Sequence, residues 1–472
     1  MAETPLQTTR RLRAKLERRR AEVRKWSDAY EGRRPLLFAS PEFRAQTRGL
    51  FKDFADNWCA TVPDATVERL MPIGFRLEDG TIDAAAWRAW RQSECDVEVG
   101  LALLDALITG RAYALVWREN GTDTAITFEH AANAVVEYVP GLRRVRSAGL
   151  KAWRDGKYEF ATLFTPDVVY RWQRVGRGDW TGRTVGLPRG EPSHVKNHLG
   201  VVPLVELPNR SRLHGKPKSE LVTVLPLQDA VNTLWAHMLT ASDYLALPAR
   251  AVLGMDRPVR EIVDPETGEV VGEEDEPISK FRSDRLLWLE KETARIAEFS
   301  AADLGQYLRI IDAAVEHIAS QTRTPATYLT GQLVNVSADA LAASEAGLVA
   351  KVTERQRHFG AALREIMRLE ALAAGETDRA ASLGLGAVIW RDPQFRSDSQ
   401  YSDALVKLKA IGVPDEALWE RIPGVTPDEI SRWKRMRDDQ ASAILGGDPA
   451  GLFGVKEDDD DQAEPDDSAE AA

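Results

Sequence analysis

Cysteine is nearly absent from this chain, with Cys59 and Cys95 the two in 472 residues. Neither stands in a Cys-x-x-Cys or comparable spacing, so neither a disulfide framework nor a zinc centre organises the fold. Two reduced, partly buried thiols are expected instead. Long apolar runs are missing too. The best membrane candidate, Gly100 to Trp117, is interrupted by Asp105 and Arg111 and reads as helix, turn, strand. The N-terminus is charged throughout and lacks an apolar signal region, which leads us to expect assembly in the cytoplasm and no membrane. A global basic field is also lacking. The formal charge is −11, and it falls to −2 when the nine acidic residues between Glu457 and Ala472 are set aside. A near-neutral body does not capture nucleic acid by long-range attraction.

Catalytic motifs are equally scarce. There is no phosphate-cradling Gly-x4-Gly-Lys-Ser/Thr, no Gly-x-Ser-x-Gly elbow and no His-Glu-x-x-His. Gly384-Leu385-Gly386 lacks the third glycine of a dinucleotide loop and precedes a strand. The seven histidines are scattered. His194 and His198 are four apart, but Gly200 and Pro203 follow and disfavour a helical ligand pair. No enzyme chemistry, cofactor or metal is therefore expected.

What is present is a distinctive order of helices. Leu227, Val231, Leu234, Met238, Ala241 and Leu245 follow the 4,3,4,3,4 spacing of a narrow buried seam. Leu304, Leu308, Ile311, Val315 and Ile318 repeat it in a second helix that begins at Ser300, with Asp303 three residues on as in a capping box. Between the two lies an insert with strands at Arg250–Met255 and Val259–Val263 and a turn over Asp264–Gly268. Glu261 to Glu276 holds eight acids and no base, which fits either an exposed self-repelling hairpin or a rim that docks a basic partner. After the second helix, Thr324 to Val336 carries no charge. From Ser337 to about Ala373 no proline interrupts a helix roughly 55 Å long at about 1.5 Å per residue. Its stripe is Leu341, Leu348, Val352, Phe359, Leu363 and Ile366, with Lys351, Arg355, Arg357 and Arg364 outside.

Before these helices, residues 1–220 read as an α+β domain with a sheet covered by helices. Helices are expected over 9–32, Pro41–Ala60, Asp83–Ser93 and Asp96–Ile108, and strands at Ala112–Trp117, Thr124–Phe128, Ala134–Tyr138, Val145–Trp153, Tyr158–Phe164 and Val168–Arg174. The first helix carries Arg10, Arg11, Arg13, Lys15, Arg18, Arg19 and Arg20, either as a solvated face or as a contact for nucleic acid or an acidic neighbour. After the long helix come a strand at Ala387–Arg391 and helices over Ser399–Ile411, from Pro414, and from a Thr426-Pro427-Asp428-Glu429 cap. The acidic residues after Val455 are too polar to fold alone.

Several stretches, taken in order, resemble the portal proteins of tailed bacteriophages. His198-Leu199-Gly200-Val201-Val202-Pro203-Leu204-Val205-Glu206-Leu207-Pro208-Asn209-Arg210 is similar to the family's entry to the stem, and Leu213-His214-Gly215, Ser219-Glu220-Leu221 and Leu227-Gln228-Asp229-Ala230-Val231-Asn232 follow as they do there. Ala148–Trp153 before Leu163–Asp167 resembles its wing sheet, and Thr324-Pro325 to Ser337-Ala338-Asp339-Ala340-Leu341 its tunnel loop and wing helix. The resemblance covers most of residues 20–440. It implies a wing over 1–220, stem helices over 221–250 and 300–323, and a small α/β clip over 251–299. A tunnel loop over 324–337, the long wing helix and return strand over 338–390, a helical crown over 391–455 and an acidic tail over 456–472 complete the implied plan. It further implies a ring of twelve copies at one vertex of the virion capsid, through which double-stranded DNA is packaged and ejected.

Implied partners are the large terminase, the head-completion or tail adaptor, the major capsid protein and the scaffold. On this reading Thr327, Thr330, Gln332 and Asn335 line the DNA channel, and Glu261, Glu273, Glu274 and Asp275 dock motor and adaptor. Leu227, Val231, Leu234, Leu304, Leu308 and Ile311 form the subunit seam. Two alternatives stay open: another phage head structural protein, and a metal-dependent nuclease built on dispersed Asp and Glu. The uncharged loop gives a direct expectation, because each phosphate neutralised by Arg adds binding that resists sliding. Gln332→Arg with Asn335→Arg slows packaging in an in vitro packaging assay and leaves assembly intact; an unchanged rate places the loop away from DNA.

Overall fold

The computed structural model describes residues 3–34, 56–119, 123–187, 191–246, 250–253, 259–265, 267–275, 286–289, 303–331, 338–394, 398–422 and 425–445. The chain divides into two compact units, Met1–Phe395 and Arg396–Ala472.

The first unit opens with helix α1 (Pro5–Tyr30), set by a reciprocal Thr4–Gln7 capping box and a proline in its first turn. Leu12, Leu16, Val23, Trp26 and Ala29 are buried along one stripe. Several of its basic residues are paired within the chain, and Arg10, Arg11, Lys15 and Arg18 stay exposed. Arg13 Nε donates to Glu159 at 2.7 Å, Arg11 to Glu137 at 2.6 Å, and Arg19 to the Tyr113 hydroxyl at 2.7 Å. Helices α2 (Trp58–Val67), α3 (Ala84–Gln92, capped by Asp83) and α4 (Cys95–Thr109) follow, with strand β1 (Pro72–Arg76) between the first two. The part of the expected Pro41–Ala60 helix before residue 56 lies outside the described residues. Gly110, at φ +89°, stops α4 and turns the chain into the next strand, as the Asp105/Arg111 interruption implied. Both cysteines are buried, and burial, reinforced by Asp229, pushes the Cys59 thiol up to about 12.

The strands then run β2 (Arg111–Glu119), β3 (Asp123–Glu129), β4 (Ala134–Tyr138), β5 (Arg146–Asp155), β6 (Tyr158–Phe164), β7 (Val168–Val175), β8 (Thr181–Gly182), β9 (His194–Lys196) and β10 (Leu204–Pro208). Where one sheet was expected there are two, both antiparallel. One has the order β10-β2-β3; the other runs β4 to β8 with β9 on β7. Alternation along β2 divides their cores: Ala112, Ala114 and Val116 face the helices, while Tyr113 packs with Val136, Phe164 and Leu204 between the sheets.

Helix α5 (Leu225–Ala246) leads into the insert, where β11 (Arg250–Leu253) pairs in parallel with β14 (Leu286–Leu289) and β12 (Val259–Val263) forms a hairpin with β13 (Val270–Asp275). The described residues of the insert contain strands and no helix, so the α/β character expected there is not seen among them. Helix α6 (Leu304–Thr322) and a short α7 (Ala326–Thr330) precede the long helix α8 (Ala338–Ala374). Leu348, Val352, Phe359, Leu363 and Ile366 are each fully buried against the β10-β2-β3 sheet. Two residues assigned to the outside are corrected: Lys351 is 3% and Arg355 4% exposed. Helix α9 (Thr377–Leu385) returns along α8, and β15 (Ala387–Trp390) pairs antiparallel with β1. This closes the unit across more than 300 residues of sequence.

The second unit holds α10 (Asp398–Ala410), α11 (Asp415–Trp419) and α12 (Pro427–Leu445). The anticipated cap is present: Thr426 N–H donates to Glu429 at 2.9 Å while the Thr426 hydroxyl accepts from Glu429 N–H at 3.4 Å. Trp419 and Trp433 meet edge-on at 6.0 Å.

Because Phe359 is fully enclosed between α8 and the sheet, Phe359→Ala is expected to cost about 3–5 kcal/mol of stability in urea unfolding. A loss under about 1 kcal/mol contradicts the packing described.

Candidate functional site

The family-like words converge on one place, the junction where β10 gives way to α5. Asn209 N–H donates to Gly110 O at 2.9 Å, and Lys218 N–H returns to Asn209 O at 3.0 Å. The Asn209 side-chain amide donates to Lys218 O at 2.9 Å and to Glu220 at 3.1 Å. A Cβ on Gly110 would stand 3.1 Å from the Lys218 carbonyl carbon at a φ that side chains avoid, so glycine is required. Ser219 caps the 3-10 turn Glu220–Val222, its hydroxyl accepting from Leu221 N–H at 3.0 Å.

That turn buries Glu220 to 3% exposure against α8. Arg355 donates to one carboxylate oxygen at 2.8 and 3.0 Å; Lys351 Nζ lies 3.6 Å and Arg210 3.9 Å from the other. Burial raises the Glu220 pKa, but Lys351 and Arg355 outweigh it and hold the group below its ordinary value of 4.5. Burial drives Lys351 downward in spite of Glu220. Two turns on, buried Gln228 accepts from Trp58 N–H at 2.8 Å, donates to Asn232 at 3.0 Å and also reaches Asp56 O. Asp229 accepts from Arg34 at 2.9 Å. The first turns of α5 are thus tied to α2 and to Arg34, and the turn before them to α8.

Helices α5 and α6 pack together, sharing a core of Leu225, Val231, Ile311, Val315 and Ile318. The start of one lies against the end of the other, so they run antiparallel. Of the residues expected at a seam between copies, Val231 (0%) and Ile311 (4%) are buried within the single chain. Leu227, Leu234 and Leu304 are half-buried, and Leu308 is 45% exposed. The α6 cap is Asp303, accepting from Gly305 N–H at 2.9 Å; the start expected at Ser300 lies outside the described residues.

The segment after α6 departs from an open loop. Arg323, at φ +55°, ends α6, and α7 is pinned by Trp58 Nε1 donating to Leu329 O at 3.0 Å. Arg69 donates to the Tyr328 hydroxyl and to Glu345 of α8, both at 2.9 Å. Thr327 is half-buried and Thr330 exposed, while Gln332 and Asn335 lie outside the described residues. On the insert hairpin, Glu261 is exposed and pairs in register with Glu273; Glu274 and Asp275 follow on β13. Among the described residues no group of three or more His, Cys, Asp or Glu is placed to hold a metal ion, and no helix is long and apolar enough to cross a membrane.

Sequence reasoning missed the roles of Glu220, Lys351 and Arg355. A signal existed: Arg355 stands seven residues after Leu348 and four before Phe359, on the apolar stripe itself. Glu220→Gln removes the buried carboxylate that Lys351 and Arg355 share and is expected to lower stability by roughly 3–5 kcal/mol at neutral pH. A depressed carboxylate contributes fully above its ordinary pKa and loses that contribution as pH falls below it. Wild-type stability therefore declines below pH 4.5 with a component that Glu220→Gln lacks. Identical acid profiles of the two proteins in urea titrations would contradict this.

Known proteins share this plan. The family described as phage portal protein, SPP1 Gp6-like, matches residues 10–443. The portal protein of Mycobacterium phage D29 is 29% identical over 400 residues, covering 81% of this chain and 79% of that protein. The portal protein of Mycobacterium phage L5 is 28% identical over 403 residues, with 81% and 78% covered. Among solved structures, a chain in the neck of a native gene transfer agent particle computed with C12 symmetry is 12% identical with a TM-score of 0.40, covering 82% of this chain and 94% of that one. One in the virion of that native particle is 11% identical at 0.38, covering 80% and 92%. With the family matched from the first helix to the last, the chain belongs to the SPP1 Gp6-like phage portal proteins.

Proposed function

We propose that twelve copies of this portal protein close head to tail into a ring at one capsid vertex of the virion, and that double-stranded DNA passes through it during packaging and ejection. The observation that carries the reading is the anchored α5–α6 pair, a stem whose root is fixed while Leu239, Leu308 and Ile310 stay exposed on it. Apolar side chains on a paired helix surface suit burial against a neighbour. Heterologous contacts close when the rotation between copies divides a full turn. Twelve helices about 10 Å across need roughly 120 Å of circumference and leave a bore of roughly 28 Å, wide enough for a duplex.

In this ring residues 1–220 with α8 form the wing, α5 and α6 the stem, the strand-built insert the clip, and the helices after 391 the crown. The segment carrying Thr327, Thr330, Gln332 and Asn335 faces DNA and, being uncharged, lets phosphates slide. The acidic hairpin with Glu261, Glu273, Glu274 and Asp275 docks the large terminase and then the tail adaptor, while the wing meets the major capsid protein and scaffold. The ring is a conduit assembled in the host cytoplasm, with the chemistry of translocation supplied by the motor.

Purified wild-type chain is expected to give rings in negative stain and a multi-subunit mass in light scattering. Leu308→Asp places an unpaired charge in the contact between copies and should reduce the ring fraction at least ten-fold, with the monomer fold retained by circular dichroism. Rings in undiminished yield would remove Leu308 from the contact, and a wild-type chain that stays monomeric across salt conditions would count against the ring.

A further inference from the structure

A second pair of surfaces, away from the stem, has complementary chemistry. A cavity of about 600 Å³ opens between the C-terminal half of α8, the turn joining β4 to β5, and β10. Its floor is apolar, with Val202, Val205 and Ala362, and its rim is rich in arginine. Arg146 and Arg368 are committed to Glu365. Arg143 and Arg364 instead donate to the backbone carbonyls of Leu213 and Gly386, and Arg144 is exposed. None of these last three meets a carboxylate among the described residues, so the rim carries uncompensated positive charge over an apolar floor.

Helix α4 presents the opposite character. Val97 and Leu101, one turn apart on the same face, are 70% and 64% exposed. On the opposite side of the helix Cys95, Val99, Ala102, Leu103, Ala106 and Leu107 are buried. Glu94, Asp96 and Glu98 surround Val97 and Leu101 and meet no basic side chain among the described residues. Leu101 and Glu98 border Phe128 of β3. The cavity borders β10, and β10 and β3 are the two edges of one three-stranded sheet. One edge thus carries an acidic knob with an apolar tip, and the other an arginine-rimmed hollow with an apolar floor.

We propose that the α4 face of one copy seats in the arginine-rimmed cavity of the next, forming a wing-level contact of the ring. This rests on the ring reading above and adds a second contact to it, independent of the stem. Val97 and Leu101 fill the floor while Glu94, Asp96 and Glu98 meet Arg143, Arg144 and Arg364, which have no carboxylate partner among the described residues. Each copy gives one surface and takes the other, the heterologous arrangement that closes into a ring. An acidic segment of another protein is the competing occupant, and the test separates the two.

Leu101→Cys and Ala361→Cys place one thiol on the knob and one at the cavity mouth, both at exposed positions, while native Cys59 and Cys95 are buried. Chain carrying only the first is mixed with chain carrying only the second, assembled, oxidised and run on a non-reducing gel, with rings counted in negative stain. Disulfide-linked dimers in the mixture and in neither variant alone are expected. Rings without cross-linked dimers overturn this contact and leave the ring intact, freeing the cavity for an acidic partner. Absence of rings in wild type overturns the ring reading and this contact with it.

Discussion

The carboxylate of Glu220 sits in the interior, where a lone charge is costly, and is tolerated because Arg355, Lys351 and Arg210 surround it. Several of the contacts that fix the start of α5 to the body pass near this point. Asn209 ties the end of β10 to Gly110 and to Glu220, and the turn that carries Glu220 delivers the chain into α5. Two of these cations, Lys351 and Arg355, come from the middle of α8, whose apolar side is already committed to the sheet. A neutral, well-packed junction could be as stable. A charged one tolerates no slippage of α8 by a turn, because that would bury both signs unpaired. Such a pairing favours one register of α8 over its neighbours.

A defined register matters to a portal. Polar side chains also fix the first turns of α5, with Gln228 bridging to Trp58 and Asn232, and Asp229 to Arg34. Helix α7, instead of hanging free, is tied through Tyr328 and Leu329 to residues of the body. Backbone groups of Asp56 and Trp58 thus hold Gln228 at the start of α5, while the side chains of Trp58 and Arg69 hold α7.

How much of this was legible in the sequence follows from the range of the interactions. The Thr426–Glu429 box and the helix expected over Asp96–Ile108 are local features, and both stand close to where the residues placed them. Strands β4 and β6 match their expected limits because turns bound them on both sides. Pairing of β1 with β15 was invisible, since no local pattern relates residues so far apart. Burial of Lys351 and Arg355 was missed for the same reason: their partner lies 135 residues from Arg355. The seam on α5 and α6 was read correctly as apolar, but periodicity does not say whether an apolar face is covered by its own chain or by a copy. Val231 and Ile311 went to the chain, and Leu308 was left outside. For the channel and docking residues, the ordered resemblance to portal proteins was the sole guide.

Class-averaged electron microscopy of the purified full-length protein tests the central claim most directly. End-on views should resolve a closed ring of identical subunits around an open bore of roughly 28 Å, with stem helices upright along its wall. Particles of single-subunit size, or closed assemblies with no central opening, would contradict it.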